Sequence, residues 1–413
     1  MTSCDTGQTL LSLDETLSQL LEHAAQIAQT AETTTLPLNQ ALGKVLAQDL
    51  RSSIQVPPLD NSAMDGYAFN SDDLTNTQQT TLQVSQRIPA GSIGTPLKKG
   101  TAAHIFTGAP IPEGADTVLM QEVCQRNGDS ITITDSFSAG ENIRKAGEDI
   151  KKGEVILTAG TKIRPQELGL AASVGISQIP VFAPLKVAIF STGNELREPD
   201  ETLKAGQIYN SNRYTLTGLL QTLGCTIIDL GIIEDTLDAT KLALQEAAEQ
   251  ADLVMTSGGV SVGEEDHIRV AVEALGTLEL WRVNIKPGKP LAFGSIKTTN
   301  GSTAFLGMPG NPVSVFTTFC IFARPFILQA QGSKHTAANV YQLPANFTVN
   351  KASTRNEYLR ARIEKGQIEL YPHQGSGVLS STTWASGFVF IAANSTVAEG
   401  DKVQFIPFSE LGL

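Results

Sequence analysis

The feature that most restricts this chain is an alternation that begins at Leu185. A strand-like run from Lys186 to Phe190 is followed by a helical pattern near Ser211 to Leu223, then by Thr226 to Gly231 and a helical stretch from Leu237 to Gln250. The alternation continues through Leu253 to Thr256, a helix near Asp266 to Leu275, and strand-like runs at Leu278 to Val283, Leu291 to Ile296 and Ala304 to Gly307, before an apolar helix from Pro312 to Leu328. Strands separated by helices need crossover connections, which lay helices on both faces of a mainly parallel sheet. The expected fold is therefore α/β, with a doubly wound sheet whose ligands bind beyond the carboxyl ends of its strands.

The flanking regions read differently. Residues 12 to 29 form an amphipathic helical pattern: Ser12 and Glu15 make a capping box, and Leu17, Leu20, Leu21, Ala24 and Ala28 recur at helical spacing. From about 51 to 147 short β-type runs, Thr81 to Val84, Ala102 to Phe106, Thr117 to Gln121 and Ser130 to Thr134, are separated by Gly and Pro, which predicts a small, mostly β domain. A Gly-rich stretch, Gly140 to Gly153, leads to a second helical pattern at Pro165 to Val174, expected to rejoin the N-terminal helix. The final 80 residues return to short strands and turns, a C-terminal β domain. A length of 413 residues accommodates three or four such domains.

Charge and composition exclude several functions. A formal net charge of -12 without clustered Lys and Arg argues against a nucleic-acid partner, because duplex binding depends on neutralising phosphates. Cys4, Cys124, Cys225 and Cys320 form no CxxC pair, so reduced thiols are expected in place of zinc or disulfides. The acidic, polar N-terminus lacks the pattern of a signal peptide. The apolar stretch from Pro312 to Leu328 is interrupted by Arg324 and Pro325 and is too short to span a bilayer. The expectation is a cytoplasmic protein with no membrane partner. His104, His267 and His373 share no metal-ligand spacing and read as structural.

The residues that follow the strands concentrate chemistry on one rim: Ser191 to Glu195, Glu234-Asp235, Ser257 to Gly263, and Met308 to Pro312. Ser257-Gly258-Gly259 has little side-chain bulk and exposes backbone N–H groups, which suits phosphate or another oxyanion. Glu195, Asp235 and Asp266 would repel such a ligand unless neutralised, and a Mg2+ ion with water and substrate phosphate completing its shell resolves the conflict. Asp235 also stands where a helix cap would. Lys286 and Lys289, held in Ile285-Lys-Pro-Gly-Lys-Pro290, present two cations to an oxyanion. Two further polar loops, Pro57 to Tyr67 and Phe106 to Pro110, read either as functional loops or as ordinary turns.

Eight segments in this order, PPLDNSAMDGY, IFTGAP, GENIRKAGED, STGNEL, SGGVSVGEED, IKPGKP, MPGNPVS and HQGSG, closely resemble the MoeA family, which includes the E domain of gephyrin. The likeness runs from about residue 10 to the end. It implies four domains: an elongated one from 8–50 and 148–183, an inserted β domain 51–147, a doubly wound molybdopterin-binding domain 184–331, and a C-terminal β barrel 332–413. It implies a homodimer whose cleft joins the third and fourth domains of one subunit to the inserted domain of the other, so that Asp60 and Thr107 face the cleft across the dimer.

The reaction implied is insertion of molybdenum from molybdate into adenylated molybdopterin, with release of AMP, after transient delivery by the molybdopterin adenylyltransferase. Carried over by matching motif, Asp60, Thr107, Asp235, Asp266, Lys286 and Lys289 are the catalytic candidates. Arg144, Ser257, Gly258, Gly259, Pro309, Pro312, Arg360 and Ser376 are the substrate-binding candidates, and Glu195, Asp235 and Asp266 the magnesium ligands. In this scheme the Ser257 loop holds the terminal pterin phosphate, while Lys286, Lys289 and Arg360, with Ser376, gather molybdate. Two alternatives are a nucleotide pyrophosphatase of related fold, against which the inserted β domain speaks, and a gephyrin-like scaffold, against which the intact set of site residues speaks.

Overall fold

The computed structural model describes residues 11–74, 80–259, 267–288 and 290–413. At its centre is a six-stranded sheet with spatial order Thr226–Ile233, Lys186–Thr192, Leu253–Ser257, Gly301–Met308, Pro290–Thr298, Gly276–Arg282. The first four strands are mutually parallel. The last two join antiparallel, as a hairpin-like extension. The doubly wound expectation holds for the parallel part, and the antiparallel edge arises because no helix separates Pro290–Thr298 from Gly301–Met308.

Alternation within the strands divides the core in two. Val187, Ile189, Leu253, Met255, Leu306 and Met308 point to one face, where helices Ser211–Thr222 and Pro312–Ala330 supply Leu216, Leu220, Val315 and Phe326. Ala188, Phe190, Val254 and Phe305 point to the other, covered by Ala243, Leu244 and Ala247 of helix Leu237–Gln250 and by Ile268, Ala271 and Val272 of helix His267–Leu275. A side-chain period of two is what a sheet buried on both faces requires. The long apolar helix is a core element, with 78% of its most apolar window buried. A π-helical turn at Phe319–Ala323 lies within it.

The N-terminal helix, Leu13–Thr30, starts at the expected capping box: the Ser12 hydroxyl accepts from the Glu15 N–H, and the Glu15 carboxylate accepts from the Ser12 N–H at 3.0 Å. Its partner differs from the expectation. Leu20 and Ala24 pack into the central core with the apolar helix, whereas Ala171 of helix Pro165–Ser173 belongs to a separate cluster with Leu46, Ile163 and Val181. The apolar stripe of the first helix is satisfied by the larger apolar surface available. The chain around the second helix is instead tied together by antiparallel pairing of Thr33–Pro37 with Gln178–Phe182 and of Leu50–Arg51 with Val155–Leu157.

Between these pairs lies a second six-stranded sheet built from Gly66–Phe69, Thr80–Ile88, Thr101–Ile105, Thr117–Met120, Cys124–Asn127 and Ser130–Ile133. The C-terminal β domain places Asn356–Glu364, Gly387–Ile391, Lys402–Pro407 and Tyr341–Pro344 side by side, with Gln367–Leu370 paired to the first. A bridge from Ala345 to Ile368 brings the two edges together, which closes the sheet into a barrel. Strand Ile285–Lys286 from the central domain pairs with Asn356–Glu357, so the two domains share a ladder. Phe305 is fully buried in the central sheet. Replacing it with Ala should destabilise that domain by about 3–5 kcal/mol, read from the corresponding transition in urea; an unshifted transition would contradict the packing described.

Candidate active site

Parallel register brings the strand ends together: Ser191 pairs with Ser257, and Ser257 with Met308. The residues just beyond them wall a cavity of about 720 Å³. Glu195, Gly258, Gly259, Pro309 and Asn311 come from the central sheet. Lys286, Gly288, Arg355, Gln374 and Ser376 close it from the side of the C-terminal domain.

Backbone forms much of this wall. Gly258 and Gly259 have φ of +90° and +64°, and the Gly258 N–H donates to the Met308 carbonyl at 3.0 Å. A Cβ on Gly310 would lie 3.6 Å from the Gly258 Cα, and one on Gly259 would meet the Ile268 Cδ1 at 2.7 Å. The two loops therefore lie in van der Waals contact, while glycine is required at 258 and 259 by their positive φ and, at 259, by the Ile268 side chain. Ser257 is a brace behind the wall: it is buried and its Oγ lies 3.3 Å from the Ser191 Oγ. Asn212 donates through Nδ2 to the Gly310 carbonyl at 2.7 Å. Pro312 opens the apolar helix, whose Val313 N–H donates to the Ser376 carbonyl at 3.0 Å.

The basic groups divide by depth. Lys286 is half exposed and its Nζ lies 2.8 Å from the Oε1 of Glu357, a nearly buried carboxylate placed opposite it by the shared ladder. Arg355 lines the cavity and donates through Nη1 to the Ile285 carbonyl at 3.2 Å. Arg360 does not line it. This guanidinium is fully buried, donating through Nε to the Ser381 Oγ at 3.0 Å and through Nη2 to the Gly375 carbonyl at 3.1 Å, while Nη1 finds no partner among the described residues. Burial pushes its pKa down to about 10. Gln374 clamps the same residue, accepting from the Arg360 N–H and donating to its carbonyl, each at 2.9 Å. Arg360 thus supports the Gln374–Ser376 wall from behind.

Among the expected acids, Glu195 faces the cavity. Gly193, at φ +147°, makes room for it: a Cβ there would fall 2.6 Å from the Glu195 Oε2. Thr192 pairs with Ile233, so Asp235 leaves the sheet on the neighbouring strand end, outside the cavity wall. It is not the helix cap; Thr236 is, accepting from the Ala239 N–H. Asp266 and Lys289 lie outside the described residues. Among the described residues no three His, Cys, Asp or Glu side chains form a metal cluster. Of the three acids, the described residues place only the Glu195 carboxylate, a hard oxygen donor of the kind Mg2+ takes, on the cavity wall.

Asp60, Thr107 and Arg144 gather elsewhere, on the inserted domain. Arg144 pairs with Asn61 in a short ladder, and the Ile111 N–H donates to the Asp60 carbonyl. Asp60 accepts from the Ala146 N–H at 2.8 Å and from Lys145 Nζ at 2.9 Å, which hold its carboxyl below the usual range. Thr107 is fixed by Asp65, whose Oδ1 accepts from its N–H at 2.8 Å and its hydroxyl at 2.7 Å. None of the three lines this cavity. Asp65 and Gln374 lie within the PPLDNSAMDGY and HQGSG segments without having been singled out there, whereas Arg355 and Glu357 fall in no such segment; for Glu357 the available signal was an acid beside the core residues Tyr358 and Leu359. Gly259→Ala should cost about 1–2 kcal/mol, from a disfavoured positive φ and the Ile268 contact. Thermal unfolding checks this, and an unchanged midpoint would contradict the loop geometry.

Comparison with known proteins agrees with this geometry along the whole chain. The family model for the MoeA N-terminal region (domain I and II) matches residues 11–175, that for a probable molybdopterin binding domain matches 188–329, and that for the MoeA C-terminal region (domain IV) matches 342–408. A Haemophilus influenzae protein named molybdopterin molybdenumtransferase is 39% identical over 414 residues, covering 97% of this chain and 100% of its own. A Nostoc protein of the same name is 36% identical over 326 residues, covering 78% of this chain and 74% of its own. The crystal structure of the molybdopterin biosynthesis moeA protein from Pyrococcus horikoshii superposes with a TM-score of 0.82 at 30% identity, covering 97% of this chain and 100% of that one. Sequence, architecture and cavity together show that the chain belongs to the MoeA family of molybdopterin molybdenumtransferases.

Proposed function

We propose that the cavity at the strand ends takes adenylated molybdopterin and molybdate, and that the chain completes the molybdenum cofactor by inserting the metal and releasing AMP. The observation that carries this reading is one cavity walled by backbone of the Gly258 and Gly310 loops, by Lys286 and Arg355, and by Glu195. Such a site lets two anions sit together, and positioning them converts a rare bimolecular encounter into an intramolecular step.

In this reading the Ser257-Gly258-Gly259 turn receives the terminal phosphate, with Pro309 and Pro312 fixing the facing loop. Lys286, Lys289 and Ser376 hold the oxyanion. Arg355, on the wall, joins them, while Arg360 acts through the Gly375 carbonyl that it fixes. Glu195, Asp235 and Asp266 would hold Mg2+, which supplies charge neutralisation as the phosphoanhydride breaks. Asp60, Thr107 and Arg144 would reach the cavity of a second subunit, which accounts for the exposure of Thr107 and Arg144 and the partial exposure of Asp60 on the inserted domain. The four-domain division, a homodimer, a cytoplasmic setting and transient docking to the adenylyltransferase complete the proposal.

Lys286→Ala should lower AMP release from adenylated molybdopterin, molybdate and Mg2+ by roughly 100-fold. A wild-type rate would remove the role given to this lysine, and AMP release independent of molybdate would favour a pyrophosphatase. Mixing Asp60→Ala and Lys286→Ala subunits, each inactive alone, should restore about a quarter of wild-type activity, because half of randomly formed dimers contain one intact composite site. No recovery would place Asp60 and Lys286 in the same site of one subunit.

A further inference from the structure

Glu195 is carried by an excursion, residues 193–210, between strand Lys186–Thr192 and helix Ser211–Thr222. The excursion folds on itself: Leu196–Arg197 pairs in parallel with Ile208–Tyr209, the Ile208 N–H donates to the Glu195 carbonyl at 2.8 Å, and the Asn210 N–H to the Arg197 carbonyl at 2.9 Å. It exposes Leu203, Ile208 and Tyr209, so apolar burial contributes little to holding these residues.

Glu198 ties the arm to the body. Its Oε1 accepts from the Arg213 Nη1 at 2.6 Å and its Oε2 from the Tyr214 hydroxyl at 2.9 Å, so both oxygens are gripped by the first turn of the following helix. Arg213 in turn donates through Nε to both oxygens of Asp229, at 2.8 and 3.0 Å. Asp229 lies where the edge strand shifts register against Ile189 and Ser191, and it also accepts from the Gly231 N–H at 2.9 Å. One guanidinium therefore joins the arm to the edge strand whose end bears Asp235. The side chains of Arg213, Glu198 and Asp229 are 25%, 24% and 29% exposed, enough shielding for charge-assisted hydrogen bonds to exceed an open surface pair.

We infer that Glu198 is a positioning residue, a latch gripped by Arg213 and Tyr214 that keeps the 193–210 arm closed and Glu195 in the cavity wall. At the other end of the arm, Gly193 at φ +147° is a hinge with few steric limits of its own. Released from Glu198, the arm can open locally without unfolding the sheet, and Glu195 then leaves the wall for part of the time. Glu198 and Arg213 do not line the cavity. The inference rests on the role proposed for Glu195.

The test compares Glu198→Ala, Glu198→Gln, Tyr214→Phe and Glu195→Ala in the full chain. Glu198→Ala should lower kcat about 10-fold with the KM for molybdate unchanged, and Glu198→Gln about 3-fold, since an amide retains part of the grip. Trypsin cleavage after Lys204, a bond whose flanking residues none of the variants alters, should accelerate about 5-fold in Glu198→Ala and about 2-fold in Tyr214→Phe, with cleavage outside the arm unchanged. Wild-type kcat together with wild-type cleavage in Glu198→Ala overturns the latch. A slow Glu195→Ala beside a fast Glu198→Ala also overturns it, leaving the role of Glu195 intact. A wild-type rate in Glu195→Ala overturns that role, and with it the catalytic meaning of the latch.

Discussion

Parallel pairing of four strands is the constraint on which the rest of the structure depends. Strands that run in one direction must end on one rim, and each must then hand the chain to a crossover. Glu195, Asp235, Gly258 and Pro309 follow four different strands, far apart in sequence, yet leave the sheet at the same edge. The contact between the Gly258 and Gly310 loops is a further consequence, because adjacent parallel strands deliver the loops that follow them side by side. The C-terminal domain completes the site through the ladder that pairs Lys286 with Glu357.

A protein with a net charge of -12 that is proposed to take two anionic reactants needs a local solution to repulsion. The cavity supplies one by layering charge. Lys286 and Arg355 stand on its wall, Glu357 holds the lysine from behind, and Arg360 is withdrawn into the barrel, where it fixes backbone. A flexible lysine stem anchored by a nearly buried carboxylate loses less entropy on meeting a ligand than a free one. Removing Arg360 would therefore disturb the shape of the Gln374–Ser376 wall more than its charge.

Much of this was legible in the sequence because it is local or periodic. The Ser12 capping box, the alternation that divides Val187 and Ile189 from Ala188 and Phe190, and the motifs after each strand are all settled within a few residues. What the sequence concealed is long-range. Leu20 and Ala24 form a stripe that fits any apolar partner, and only the folded chain shows that the partner is the Pro312–Ala330 helix. The sequence around Arg360 marks it as functional but cannot tell a lining guanidinium from one fully buried beneath the lining. Arg355 directly precedes strand Asn356–Glu364 and Glu357 lies at its start, and their place beside Lys286 follows from the pairing of that strand with Ile285–Lys286.

The most direct test is hydrogen exchange of the full-length protein with and without adenylated molybdopterin. Exchange should slow in the segments spanning 257–259, 310–314 and 374–376, whose backbone walls the cavity. Slowing confined to another hollow, such as the groove of about 390 Å³ between His23 and Ser295, would contradict it.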